Sequence, residues 1–284
     1  MVITGPFMLS VKGNSIAVWE RPGSEPAILF LHAAGFHSHC WNEVIARVPA
    51  RRCICLDLRG HGRSSKHAPP YKWREFGLDV AAAASALGLH GATGVGHSLG
   101  GHALALAAAI NPGAFAEAIL FDPAILPDSA YTGSGPALPA IAKRRNRWQN
   151  WSDLFYQIKD RKPFDRWNRK VLLDYCEYGL EDSAIDDKYA LACPPAVEAS
   201  IYQYATDQDS NISAEMKTVR AQVTVIRSGN SATQAGDFSA SWTVPDLASR
   251  FSNAKDIYFS EYSHFLPMEA PWLAADLILS EMGR

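Results

Sequence analysis

Apolar and polar positions alternate near the start of the chain, where FMLSV and SIAVWE flank Lys12-Gly13-Asn14. Two alternating runs around a short glycine-containing turn predict a β-hairpin. After Gly23 to Pro26 the pattern changes, and the runs AILFL (27–31), CICLDL (53–58), TGVG (93–96), AILFD (118–122) and VTVIR (223–227) are apolar with little alternation. A strand with one wet face alternates, whereas a continuous run suits a strand covered on both faces, as in a parallel sheet. Helical spacing of apolar residues falls between and after these runs, over 39–48, 73–88, 99–111 and 269–282. Strand and helix therefore take turns, the order expected of an α/β fold whose mostly parallel central sheet is flanked by helices.

The alternation breaks once. From Tyr131 to Tyr204 no such run occurs, and Trp148, Trp151, Phe155, Tyr156, Phe164, Trp167, Tyr175 and Tyr178 are interleaved with charge. That mixture predicts helices with an aromatic face. We expect 131–204 to be a helical cap over the carboxyl edge of the sheet, where open α/β folds place ligands, with 1–130 and 205–284 as the core. Most of the rings should pack the cap onto the core. Trp148, Trp151 and Phe155 are the expected wall of a pocket for a hydrophobic substrate, since ligand pockets are mostly apolar.

The strong charge run Lys143-Arg144-Arg145-Asn146-Arg147 reads as a solvated helix face, with attraction of an acidic substrate or partner as the alternative. Cys193-Pro194-Pro195 is expected to end a helix and leave 196–204 as the last cap helix.

A chain of 284 residues can bury a full-sized core without metal or disulfide staples. Its 27 basic and 29 acidic residues leave a net charge of −2, no field to gather nucleic acid or an anionic membrane. A small-molecule substrate is the expected partner; the oligomeric state is left open. The five cysteines are odd in number and include no CxxC pair, so reduced thiols in a cytoplasmic protein are expected. Neither a signal-like start nor an apolar stretch of membrane-spanning length is present. His37-Ser38-His39 is not completed by a carboxylate or cysteine pattern, so no metal site is expected.

Gly96-His97-Ser98-Leu99-Gly100-Gly101 follows the apolar TGVG and precedes the helical LALAAA. This strand, sharp turn, helix context is the one a G-x-S-x-G nucleophile requires. Glycines are needed where a side chain would meet neighbouring backbone, and Ser98 then stands exposed above the sheet. The Leu99 N–H, at a helix N-terminus, can stabilise a developing oxyanion. A serine hydroxyl needs a base. Among nine histidines, His264 lies late in the chain, between the strand-like DIYFSE (256–261) and a helix opened by Pro271. His97, beside the nucleophile, is expected to pack beneath the turn.

With these residues in view, the chain resembles the α/β-hydrolase family over nearly all its length apart from the insertion. His32-Ala33-Ala34-Gly35 resembles the family's His-Gly oxyanion loop, with Ala33 where glycine is usual. Asp57 to Ser64 resembles its D-x-R-G-x-G-x-S loop, and Ser263-His264-Phe265 its catalytic-histidine turn. The resemblance implies a second oxyanion donor at the Ala34 N–H and a structural role for His32. It also implies an acid between serine and histidine. The usual place, after VTVIR, reads Ser228-Gly229-Asn230-Ser231-Ala232-Thr233 and holds no carboxylate; the first acid beyond it is Asp237. Asp122, ending AILFD, is favoured, as in subfamilies that carry the acid one strand earlier, and Asp237 is the alternative.

The activity implied is a serine hydrolase that cleaves an ester, lactone or thioester through an acyl-enzyme, with no cofactor. The alternatives are a carbon-carbon bond hydrolase of diketones and a non-catalytic small-ligand receptor. Epoxide hydrolases and haloalkane dehalogenases of this fold need a carboxylate where Ser98 stands.

Overall fold

The computed structural model describes residues 2–183, 185–229 and 239–282. Its strands are β1 (Thr4–Val11), β2 (Asn14–Arg21), β3 (Ser24–Leu31), β4 (Arg51–Leu56), β5 (Ala92–His97) and β6 (Phe115–Phe121). They continue as β7 (Leu180–Asp182), β8 (Tyr189–Leu191), β9 (Gln222–Ser228) and β10 (Ala254–Phe259). Eight of them form one sheet in the order β1-β2-β4-β3-β5-β6-β9-β10. β1 and β2 are the hairpin that the alternation predicts, turning through Lys12 and Gly13 at φ 48° and 79°. β2 meets β4 antiparallel, and from β4 to β10 every neighbouring pair is parallel.

The period of two along each strand sorts side chains to opposite faces. Leu29, Leu31, Ile54, Leu120 and Val225 pack in the cluster that holds the helices Trp73–Ala86 and Leu99–Ile110. Ile28, Phe30, Val95, Phe121 and Ile226 pack on the other side with Trp41, Ile45 and the helix Pro271–Met282. Both faces are therefore covered, and all of β5 is buried. The helix expected over 39–48 is a 3-10 turn, Ser38–Trp41, followed by the short Asn42–Ile45.

Between β6 and β9 lie the helices Trp151–Ile158, Arg169–Tyr178 and Pro195–Gln203. A third apolar cluster joins Trp167, Val171, Leu172 and Tyr175 of this segment to Ala33, Phe36, Phe265 and Met268 of the sheet's loops. Two details differ from expectation. β7 and β8 pair antiparallel, and their three-residue sequences LED and YAL are too short and too polar to register as an apolar run. Cys193-Pro194-Pro195 thus follows a strand rather than ending a helix, and Pro195 opens the next helix, where its missing N–H would have had no partner.

Candidate active site

Ser98 occupies the single-residue turn between β5 and the helix Leu99–Ile110, at φ 54° and ψ −116°. A non-glycine residue there is strained by about 1–3 kcal/mol and needs surroundings that hold it. The Ser98 N–H donates to the Phe121 carbonyl (3.1 Å), and the Ser98 carbonyl accepts from the Ala124 and His102 N–H groups (3.1 Å each). The flanking glycines are steric necessities. A Cβ on Gly96 would lie 2.5 Å from the Gly100 carbonyl oxygen, and one on Gly100 would lie 2.4 Å from that of Leu31.

His264 sits between β10 and the turn Leu266–Glu269. Its Nδ1 donates to Asp122 Oδ2 at 2.5 Å, which leaves Nε2 as the lone-pair nitrogen. Asp122, at the end of β6, has φ 40°, a conformation that aspartate tolerates better than most residues. Its other oxygen, Oδ1, accepts from the Ser228 N–H (3.0 Å), the Ser241 hydroxyl (2.7 Å) and the Thr243 hydroxyl (3.3 Å). Burial pushes the Asp122 carboxyl up. His264, the Ser228 N–H and the Ser241 hydroxyl outweigh burial and hold it below the ordinary aspartate value. Asp237, the alternative acid, lies outside the described residues.

Ser98 and His264 line one small cavity of about 20 Å³ together with Ala33, Ala34, Trp73, Ala124, Tyr202, Trp242 and Phe265. Neither the Ala34 nor the Leu99 N–H donates to an acceptor among the described residues. The loop bearing Ala34 is fixed from below. His32 Nδ1 donates to the Ala33 carbonyl (2.8 Å), and its Nε2 accepts the Leu58 N–H (2.9 Å). Burial lowers the His32 imidazole to about 4, so the ring is neutral and can both donate and accept. The Gly35 N–H donates to His61 Nε2 (3.0 Å) and is thereby engaged. The Asp57 to Ser64 loop that carries His61 is itself knotted. Asp57 accepts from the Trp19 indole (2.9 Å) and from the Ser38 and Arg63 N–H groups (2.8 and 2.9 Å).

One neighbour has a larger part than its expected packing role. His97 Nε2 donates to the His264 carbonyl (2.8 Å), and the two rings lie 5.0 Å apart. The residue before the nucleophile therefore holds the backbone of the base. The position of His97 inside the motif was the available signal. The hydroxyls of Ser241 and Thr243 carried no such signal, because they reach Asp122 across more than a hundred residues.

The expected pocket wall is corrected. Trp148, Trp151 and Phe155 line neither the cavity at Ser98 nor the larger one beside it. Trp148 is buried in the third cluster with the Arg145 guanidinium 4.0 Å from its ring centre, and Trp151 is 43% exposed. Phe155 packs against the same cluster with its ring edge toward Tyr156. The helix Trp151–Ile158 turns Leu154 inward instead. The larger cavity, about 250 Å³, takes its aromatic wall from Phe36, Phe164, Trp167, Tyr175, Tyr202 and Phe265. The run 143–147 is likewise no helix face, since the helix Pro139–Ala142 ends before it and Arg144 turns into that cavity. The five cysteines are all unpaired and buried. No helix among the described residues is long and apolar enough to cross a membrane.

A strained serine on a strand-to-helix turn, near a histidine bonded to a strand-end carboxylate, is the arrangement of an α/β-hydrolase site. The chain belongs to the alpha/beta hydrolase family, whose model matches residues 28–275. A bifunctional esterase/perhydrolase of Acinetobacter calcoaceticus is 32% identical over 176 residues, covering 57% of this chain and 63% of that protein. The 3-oxoadipate enol-lactonase 2 of Acinetobacter baylyi is 38% identical over 77 residues, 27% of this chain and 29% of its own length. Uncharacterized proteins of Mycobacterium bovis and Mycobacterium tuberculosis are 41% identical over 80 residues, and the chain spans only 24% of their length. Among solved structures, E-2-(acetamidomethylene)succinate hydrolase superimposes with a TM-score of 0.74 at 19% identity, covering 99% of this chain and 100% of that one. The enol-lactonase of Burkholderia xenovorans LB400 gives 0.68 at 17% identity, covering 98% and 100%. At such identities the likeness is one of fold.

Proposed function

We propose that this protein is a serine hydrolase that cleaves a small ester, lactone or thioester through an acyl-enzyme. The observation that carries the reading is the 2.5 Å bond from His264 Nδ1 to Asp122, with Ser98 on the wall of the same cavity as that imidazole. Ser98 Oγ attacks the substrate carbonyl carbon while its proton passes to His264 Nε2. Asp122 fixes the imidazole tautomer and stabilises the imidazolium that forms. The Ala34 and Leu99 N–H groups hold the oxyanion, and they need no reorganisation because neither is engaged among the described residues. Collapse expels the alkoxide or thiolate, which takes the proton from His264. Water, deprotonated in turn by His264, then releases the carboxylic acid and restores Ser98.

No step calls for a cofactor or a metal. The segment 131–204 acts as the cap, since Tyr202 reaches the cavity at Ser98 from that side. Esterase and lactonase names among the relatives support this choice of bond. The unpaired cysteines suit a reducing compartment such as the cytoplasm.

The test is fluorophosphonate labelling and p-nitrophenyl ester hydrolysis by wild type and Ser98→Ala. Labelling and turnover by wild type alone are expected. Labelling without turnover of any ester or lactone would transfer the proposal to diketone cleavage or ligand reception, and a wild type that does not label would remove Ser98 as the nucleophile.

A further inference from the structure

The larger cavity adjoins the catalytic one, and Ala34, Tyr202 and Phe265 line both. Its wall is largely apolar, yet two cations reach it, Arg144 and Lys162, against one carboxylate, Glu198. Arg144 Nη2 approaches Glu198 Oε2 at 2.5 Å, but Arg144 Nε and Glu198 Oε2 are both buried without a hydrogen-bond partner. The pair is thus joined through one guanidinium nitrogen and is not the two-bond fork that arginine and carboxylate can make. A guanidinium offers five N–H donors in a plane, so Arg144 retains unused donors in a largely apolar space. The Glu198 carboxylate lies against Gly35, 2.7 Å from where a Cβ at that position would stand, so the glycine leaves room for the pair. Lys162, exposed at the rim, has no ion pair or hydrogen bond among the described residues, so the cavity carries an excess of positive charge.

An unpartnered buried donor is unfavourable unless something occupies it. We propose that Arg144, with Lys162 at the rim, is a carboxylate-binding subsite, so that the substrate class is an ester, lactone or thioester whose acyl group carries a second, free carboxylate. This proposal rests on Ser98 being the nucleophile. The aromatic wall would cover the carbon chain between the scissile carbonyl and that carboxylate, and Glu198 would hold Arg144 in place while the site is empty.

The experiment separates binding from chemistry. Ser98→Ala is titrated calorimetrically with monomethyl glutarate and with dimethyl glutarate, which differ by one charge and one methyl group. The monoanion is expected to bind at least about tenfold more tightly, in keeping with a charge-assisted hydrogen bond, and the advantage should shrink as salt is raised. Arg144→Met alone would leave Glu198 buried beside no cation, so the comparison variant also carries Glu198→Gln. In that background the preference for the monoanion should vanish while dimethyl glutarate still binds. Equal affinities in the Ser98→Ala protein, no measurable binding of the monoanion, or a preference that survives removal of Arg144 would overturn the subsite. Retained preference with a wild type that hydrolyses neither ester would overturn the serine-hydrolase reading and leave the subsite standing.

Discussion

Mild acidification should destabilise this protein, because several histidines are sealed in the fold as neutral rings. His32, His61, His97 and His102 are each 0% exposed. Burial lowers their imidazoles to about 4, 3, 3 and 4, against an ordinary 6.5. The sign follows from which state takes up the proton first. With folded values depressed, the unfolded chain binds protons as pH falls below 6.5 and the folded chain does not, so stability is full above 6.5 and is lost toward the folded values. Each ring contributes roughly RT ln(1 + 10^(6.5−pH)), which rises by about 1 kcal/mol between about pH 6.5 and about pH 5.5. Four rings therefore remove about 4 kcal/mol, a large share of a typical 5–15 kcal/mol. For a chain of this size that corresponds to a fall in Tm of about 8 °C or more. Asp174, pushed up to about 6 by burial, takes a proton in the folded state within the same window and offsets part of the loss. The assay is thermal unfolding followed by circular dichroism across this range. His102→Asn, which removes a ring bonded to the Ser210 carbonyl (2.8 Å), should reduce the pH-dependent loss by about a sixth, since burial lowers His37 and His39 as well. A Tm that moves by less than about 3 °C in wild type would refute the reasoning, because these rings would then titrate alike in both states.

Asp122→Asn keeps the shape and the left-handed backbone but removes the charge, and should lower kcat by about 10³–10⁴ with Tm nearly unchanged; a loss smaller than about tenfold would move the acid elsewhere. His97→Asn should loosen the His264 backbone and lower kcat about tenfold per fluorophosphonate-titrated site with little change in KM, whereas a purely structural residue would lower Tm and leave kcat per titrated site intact. Tyr202→Ala should raise KM several-fold for p-nitrophenyl butyrate, while Trp151→Ala, at an exposed position, should leave it within about twofold; the opposite ranking would return the pocket wall to the helix Trp151–Ile158.

The sheet and the elbow were legible because their constraints are local. An apolar run such as AILFL has to be covered on both faces, and Gly96 and Gly100 stand where a Cβ has no room. Asp122 was legible by elimination within the family pattern, since the loop after β9 offered no carboxylate at its start. The cap was less so. Which aromatic residue faces a cavity depends on the rotation of each helix, and Leu154 rather than Trp151 or Phe155 became the buried residue of its helix. Nor does charge patterning reveal that one arginine of a basic run turns inward, since Arg144 is set apart from Arg145 only by Glu198, a partner more than fifty residues away. Long-range hydrogen bonds to Asp122 from Ser241 and Thr243 were invisible for the same reason.

The place of the acid has a consequence for how this protein can change. Ser98 and Asp122 stand at the ends of adjacent strands whose backbones are laddered together, and the Ser98 N–H and carbonyl are both tied to the segment 121–124. Nucleophile and acid thus share one rigid frame. Among the described residues, the segment after β9 meets the acid through the Ser228 amide and the Ser241 and Thr243 hydroxyls. The base is held from this side too, since the Ser239 carbonyl accepts the His264 N–H (2.8 Å), so a change that shifts Ser239 should disturb His264 while the nucleophile and the acid stay in register with each other.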